Sequence, residues 1–325
     1  MKKEVKFLVA ALLASLTFVG VCAAQAQAER PFANKLSAID VNAPIKAIPR
    51  EYAQPAKERG ELVRVDYPVG DGTKYAVVYL PYGYDAAKRY EIAYVMHGGG
   101  DNQNMLLGAP GEPGNGFKNA IDNLIEKGEM SPIIIVAPSF YSGARGDRGM
   151  GDAFRGVQEF PKELVEGLMP TVEEKYSTFA DSTSPEDLAK SRGHRLFTGF
   201  SMGSLQTWLV LTQQMKYFAV FVPLSGDYWI GGANPRGASP NDKADAIAKA
   251  IEEQGFGADD FIIYAATGSK DIAEPNMTPM IDAMKKNDAL FGKNMIYRVK
   301  EGGVHSFPAF QEYLFNVLPE LYKPE

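Results

Sequence analysis

Arg195-Leu196-Phe197-Thr198-Gly199-Phe200-Ser201-Met202-Gly203-Ser204-Leu205-Gln206-Thr207-Trp208 runs from an apolar stretch through Gly-x-Ser-x-Gly into helical spacing, with Leu205, Trp208 and Leu209 on one face. Strand, sharp turn and helix in that order present a serine at the tip of the turn. The turn is tight enough that the residues flanking Ser201 must lack bulk, which accounts for Gly199 and Gly203. At a helix N-terminus the serine Oγ is exposed and backbone N–H groups face the space beside it. With 32 glycines in 325 residues the five-letter pattern is weak by itself. Its context and its partners give it weight.

Outward from that stretch, apolar runs alternate with helical segments. Ile92-Ala93-Tyr94-Val95-Met96 and Pro132 to Pro138 read as strands buried on both faces, the second bracketed by prolines that cannot continue it. Ala219 to Leu224, Phe261 to Thr267 and Met295 to Val299 repeat the theme. Helices are expected to about Lys127, over Phe160–Tyr176 with a kink or break at Pro170, and from a Ser184 cap with Pro185 at N1. Others are expected over Asp242–Gln254, Met277–Asn287 and Pro308–Leu318. Leu62–Tyr67 and Thr73–Leu80 flank Gly70-Asp71-Gly72 as a hairpin. The alternation predicts an α/β fold: one domain with a mostly parallel central sheet and helices on both faces, running from 60 to 325.

In such a sheet, reactive groups gather beyond the carboxyl ends of the strands. Ser201, Asp271 and His305 each follow an expected strand, in the chain order of an α/β-hydrolase triad. A serine hydroxyl needs a base to take its proton, an imidazole serves at neutral pH, and a carboxylate fixes the imidazole's tautomer. Of three histidines, His194 precedes its strand and lies at the wrong end. His97 leads into Gly98-Gly99-Gly100, which suits an oxyanion loop better than a base, and His305 remains. Asp260 also precedes its strand. Asp227 follows one and competes with Asp271 for the acid role, Asp271 being favoured because its strand immediately precedes that of His305. The Met202 N–H is the first expected oxyanion donor; the second is placed at Gly99, with Gly98 and Gly100 as rivals.

Five motifs then fall in order. Tyr79-Leu80-Pro81-Tyr82-Gly83-Tyr84, His97-Gly98-Gly99-Gly100, Gly199-Phe200-Ser201-Met202-Gly203, Gly268-Ser269-Lys270-Asp271 and Gly302-Gly303-Val304-His305-Ser306-Phe307 together resemble the esterase D-like family. Within it they are most similar to the feruloyl and acetyl xylan esterases of carbohydrate esterase family 1. The resemblance runs from about Gly60 to the end. It implies hydrolysis of ester-linked substituents on plant cell-wall xylan, with Ser201, His305 and Asp271 as the triad. Ser204 departs from it, standing where the family commonly has another glycine.

Composition is that of a globular chain, 45% hydrophobic and 23% charged, and a net charge of −6 gives no electrostatic case for nucleic acid or an anionic membrane. Lys2, Lys3 and Lys6 precede an apolar core from Phe7 to about Ala24, then Ala26-Gln27-Ala28. That is the make-up of a secretory signal peptide over 1–28, cleaved after Ala28, and it implies a secreted or periplasmic protein. Cys22, the single cysteine, lies inside it. Val21 is too large for a lipobox, and the mature chain would hold no thiolate metal site and no disulfide. No metal or organic cofactor is indicated. Residues 29–59, with prolines at 31, 44, 49 and 55, read as an exposed arm that could fold back onto the domain.

Substrate contacts are expected in loops. Tyr228 and Trp229 follow a strand on the catalytic side and suit stacking on a phenol or a sugar, with ordinary core packing as the plain alternative. Asp227 would shape the pocket if it is not the acid. Asp101 and Asn102 beside the oxyanion loop, and Tyr141 in the long loop from Ser139 to Asp152, are further candidates. The leading expectation is a feruloyl (hydroxycinnamoyl) esterase acting on arabinoxylan. An acetyl xylan or short-chain esterase, an acyltransferase, and a non-catalytic binding protein are the alternatives.

Overall fold

The computed structural model describes residues 36, 39–141, 150–229 and 238–324. The segment expected to act as a signal peptide lies outside them, as does most of the long loop that ends at Asp152. Among the described residues no helix is long and apolar enough to cross a membrane.

Eight strands form one sheet: β1 (Glu61–Val69), β2 (Gly72–Leu80), β3 (Glu91–Met96), β4 (Ile133–Ala137), β5 (Arg195–Phe200), β6 (Val220–Leu224), β7 (Ile262–Gly268) and β8 (Met295–Lys300). Their spatial order is β1-β2-β4-β3-β5-β6-β7-β8. The β1–β2 hairpin and the β2–β4 pair are antiparallel, and every pairing from β4 to β8 is parallel. The chain leaves β3 for β4 on one side, then returns past β3 to β5 and continues outward. The reversal puts a crevice beyond the ends of β3 and β5.

Side-chain alternation sorts the core into two layers. Ile92, Tyr94 and Met96 of β3 pack in one layer, and Ala93 and Val95 in the other. Helices α1 (Gly116–Glu126) and α9 (Phe307–Leu321) cover the second layer. The first takes α2 (Met150–Glu163), α3 (Met169–Lys175), α4 (Pro185–Lys190), α5 (Met202–Gln214), α6 (Pro240–Glu253), α7 (Glu274–Lys285) and α8 (Asp288–Phe291). Caps fix several helix starts. Ser184 Oγ accepts from the Asp187 N–H, Ser306 Oγ caps α9, and Ser239 with Asp242 closes a capping box on α6.

One expectation needs correction. The helix expected from Phe160 begins at Met150, so Pro161 lies inside it, and the break near Pro170 takes the form of a π-helical turn at Leu164–Leu168 leading into α3. The wider turn suits a proline that lacks an N–H to donate. The segment before Gly60 folds back onto the domain. Ile45 and Ala56 are buried, Lys46 exchanges two hydrogen bonds with Asn316 of α9, and Asn119 and Asn123 of α1 donate to the carbonyls of Ala53, Tyr52 and Gln54. Residues 40–59 are therefore a strap across α1 and α9.

Candidate active site

Ser201 sits between β5 and α5 with φ +57° and ψ −112°, a conformation that L-residues avoid unless their surroundings impose it. The imposition is visible. A Cβ on Gly199 would lie 2.4 Å from the Gly203 carbonyl oxygen, and one on Gly203 would lie 2.5 Å from that of Met96. Only glycine lets β5, the turn and α5 approach this closely. The Ser201 N–H is fixed by the Leu224 carbonyl of β6 at 3.0 Å.

His305 follows β8 and Asp271 follows β7, and Gly268 pairs in register with Lys300, so their loops leave the sheet side by side. The Lys270 N–H donates to the Gly303 carbonyl at 2.9 Å, lacing the two loops together. His305 Nε2 stands 2.9 Å from Ser201 Oγ, and His305 Nδ1 stands 2.7 Å from Asp271 Oδ1. Because the carboxylate accepts from Nδ1–H, Nε2 is the ring's open lone pair and accepts from the serine hydroxyl. The Phe200 ring packs against the imidazole, with centroids 4.6 Å apart. Burial works to raise the Asp271 carboxyl. Hydrogen bonds from His305, the Ala273 N–H and Ser225, with the charge of His305, outweigh it and hold the group below the usual carboxylate range.

Met96 pairs in register with Gly199, which brings the His97–Gly100 loop alongside the serine turn. His97 is buried; its Nδ1 donates to the Gly98 carbonyl at 2.7 Å and its Nε2 accepts from Ser139 Oγ at 2.8 Å. It anchors the loop. The three glycine N–H groups then divide. Gly100 donates to Tyr141 Oη at 2.9 Å, and Gly98 is buried, with a Cβ built on it lying 3.5 Å from Asp101 Oδ2. Gly99 is exposed, close enough to Met202 that a Cβ would lie 3.2 Å from its Cγ, and its N–H closes no hydrogen bond in the resting site. Met202 N–H, in the first turn of α5, likewise has no intrahelical partner.

The remaining candidates separate. Asp227 forms a buried ion pair with Lys243 of α6, and the carboxylate bonded to His305 is that of Asp271. Tyr228 is buried, its N–H directed at Met280 Sδ, which is the plain core reading. Trp229 is half-buried against Phe154, with centroids 5.5 Å apart. Phe154 lies on the first part of α2, between the expected loop that ends at Asp152 and the helix expected from Phe160, so no signal pointed to it. Asn102 Oδ1 accepts from the Asn104 N–H at 2.9 Å, a local role in the turn. His194 bonds Glu91 and stacks on Phe179 at the end of the sheet opposite Ser201, as its position before β5 implied. Among the described residues no cluster of His, Cys, Asp or Glu could hold a metal.

A serine hydroxyl on an imidazole, an imidazole on a carboxylate, and amides facing the serine define a serine hydrolase of the α/β-hydrolase class. No family model matches the chain. Among curated proteins it is 40% identical over 280 residues to endo-1,4-beta-xylanase Y of Acetivibrio thermocellus, covering 84% of this chain and 24% of that protein. It is 27% identical over 255 residues to an endo-1,4-beta-xylanase/feruloyl esterase of Xylanibacter ruminicola, covering 76% of this chain and 29% of that one. The chain thus spans between 24% and 29% of the length of these curated relatives. Among solved structures it matches a serine-to-alanine mutant of the feruloyl esterase module from Clostridium thermocellum complexed with sinapinate. The identity is 38% and the TM-score 0.75, over 87% of this chain and 95% of that one. A CE1 ferulic acid esterase from Anaeromyces mucronatus, at 19% identity and TM-score 0.62, shares the fold over 84% of this chain and 95% of that one. The chain belongs to the carbohydrate esterase family 1 feruloyl esterases.

Proposed function

We propose that this chain hydrolyses hydroxycinnamoyl esters of plant cell-wall arabinoxylan through an acyl-enzyme on Ser201. The observation that carries the reading is the match at 38% identity, across 95% of its length, to a feruloyl esterase module complexed with sinapinate. The xylanase relatives support the polysaccharide side of the substrate. Ser201 Oγ attacks the ester carbonyl while His305 Nε2 takes its proton, and Asp271 steadies the imidazolium that forms. The carbonyl oxygen gains its negative charge between the N–H groups of Met202 and Gly99, the two amides with no other partner there. As the tetrahedral intermediate collapses, His305 passes the proton to the sugar oxygen and the alcohol leaves. Water, deprotonated by the same imidazole, then frees the acid and restores Ser201. The half-buried Trp229–Phe154 pair offers the phenolic ring an aromatic wall. The basic, apolar, small-residue sequence of residues 1–28 supports export to where that substrate lies.

The test compares methyl ferulate and methyl sinapate with p-nitrophenyl acetate, for the wild type and Ser201→Ala. Hydroxycinnamoyl esters should give the higher kcat/KM, and the mutant should lose on the order of 10⁴-fold or more. Hydrolysis confined to the acetate ester would keep the triad and move the substrate to acetyl xylan.

A further inference from the structure

The loop after β3 is pinned where it leaves the strand. A Cβ on Gly203 would lie 2.7 Å from the His97 carbonyl oxygen, so the loop starts out packed on the nucleophile's own turn. Gly98 to Asp101 then close a four-residue turn, the Asp101 N–H donating to the Gly98 carbonyl at 3.3 Å. Gly100, its third residue, has φ +84°, the mark of a type II turn. Types I and II differ by a flip of the central peptide, here the one joining Gly99 to Gly100, and glycine at the third position takes either. Crowding does not make the choice: a Cβ on Gly100 would meet no atom within 4 Å.

The choice is made from the neighbouring strand. β4 runs parallel beside β3, so the residues after it come alongside this turn. The phenol oxygen of the buried Tyr141 accepts from the Gly100 N–H at 2.9 Å, and that N–H belongs to the very peptide that flips. The phenol is itself fixed. Its ring stacks on the His97 imidazole, with centroids 5.7 Å apart and planes 15° from parallel, and Phe140 packs on both rings at 4.6 Å. The Tyr141 N–H donates to Ser139 Oγ at 3.2 Å, and the same Oγ is the partner of His97 Nε2, so one hydroxyl ties the two loops together. Within the turn, the Gly98 carbonyl accepts from His97 Nδ1 as well as from the Asp101 N–H. The Gly99 N–H is the opposite end of that planar peptide and points away from both donors.

We propose that Tyr141 is a positioning residue for the oxyanion loop: by holding the Gly100 N–H, its phenol oxygen keeps the turn in the state that leaves the Gly99 N–H facing the reacting carbonyl. This rests on the oxyanion role given to Gly99 above. Charge reaches the carbonyl oxygen only in the transition state, so a misplaced amide is felt there and little in substrate binding. Tyr141→Phe keeps the ring stack on His97 and removes only the acceptor. It should lose roughly ten-fold in kcat/KM on methyl ferulate and the same factor on p-nitrophenyl acetate, because both esters develop the same oxyanion, while KM for methyl ferulate stays within about two-fold. An aryl trifluoromethyl ketone, which adds to Ser201 as an anionic hemiketal, should bind more weakly by that factor. Gly100→Ala disfavours the left-handed φ directly, so joining it to Tyr141→Phe should cost no more than the larger single loss. An unaltered kcat/KM in Tyr141→Phe, or additive losses in the double variant, would overturn the inference. So would a loss confined to methyl ferulate and carried by KM, which would make the phenol a substrate contact. Ser201→Ala, assayed alongside, separates the two failures: retained activity there sinks the triad reading, whereas its loss beside an unaltered Tyr141→Phe sinks only the role of Tyr141.

Discussion

Asp101 carries a half-buried carboxyl beside the oxyanion loop; burial raises it above its ordinary range, and the hydrogen bond from Gly98 offsets only part of the rise. In the unfolded chain the group keeps its ordinary value, near 4. Between those two values the folded state holds the proton more tightly, so stability falls as pH rises through that window, and the penalty is complete above it. Asp101→Asn removes the charge and keeps an acceptor for Gly98. Its melting temperature should exceed that of the wild type at pH 7, with the gap closing as pH falls to about 4. A gap that stays constant with pH would show that the charge is not the cause. At this scale the sequence was most informative where backbone sterics dictate residue type. Gly199 and Gly203 were legible because a side chain at either would strike backbone, Ser201 because it stands between them, and Asp271 and His305 because each follows a strand. The hold of Tyr141 on Gly100 was not, since nothing in the sequence sets that phenol against the turn.

The element scale shows why Asp227 lost the competition for the acid. It ends β6, one strand nearer the nucleophile than Asp271, but α6 lays Lys243 against it and the pair is buried. Such partners are set by how a distant helix docks, which spacing along the chain does not encode. The pair also fastens the loop after β6 to α6. Lys243→Ala leaves the Asp227 carboxylate buried without its cation and should cost roughly 3–5 kcal/mol in chemical denaturation. Lys243→Met combined with Asp227→Asn should recover most of that loss. If Lys243→Ala unfolded at the wild-type denaturant concentration, the carboxylate would have to reach water by another route. The early start of α2 belongs to the same scale: glycine-rich sequence from 143 to 151 reads as loop, yet helix is present from Met150 because Val157 and Phe160 are buried against the sheet. Tertiary packing overrode local propensity there.

Over the whole molecule, the order of strands decides what meets what. The switch at β3 sets the His97–Gly100 loop beside the Ser201 turn, and the β7–β8 pair sets Asp271 beside His305. Alternating apolar strands and helices made the α/β class and the catalytic edge readable. The strap of residues 40–59 was harder to see: its contacts are mostly backbone carbonyls reached by Asn119, Asn123 and Asn316, which leave no hydrophobic period in the strap itself. The central claim is that these parts converge on one covalent step at Ser201. Rapid mixing with a feruloyl ester, acid quench and mass spectrometry of the digested protein tests it most directly. The account predicts one feruloyl group on the peptide holding Ser201, formed in a burst and absent in Ser201→Ala. Turnover of the ester with no acyl adduct at any time, or an adduct on another residue, would contradict it.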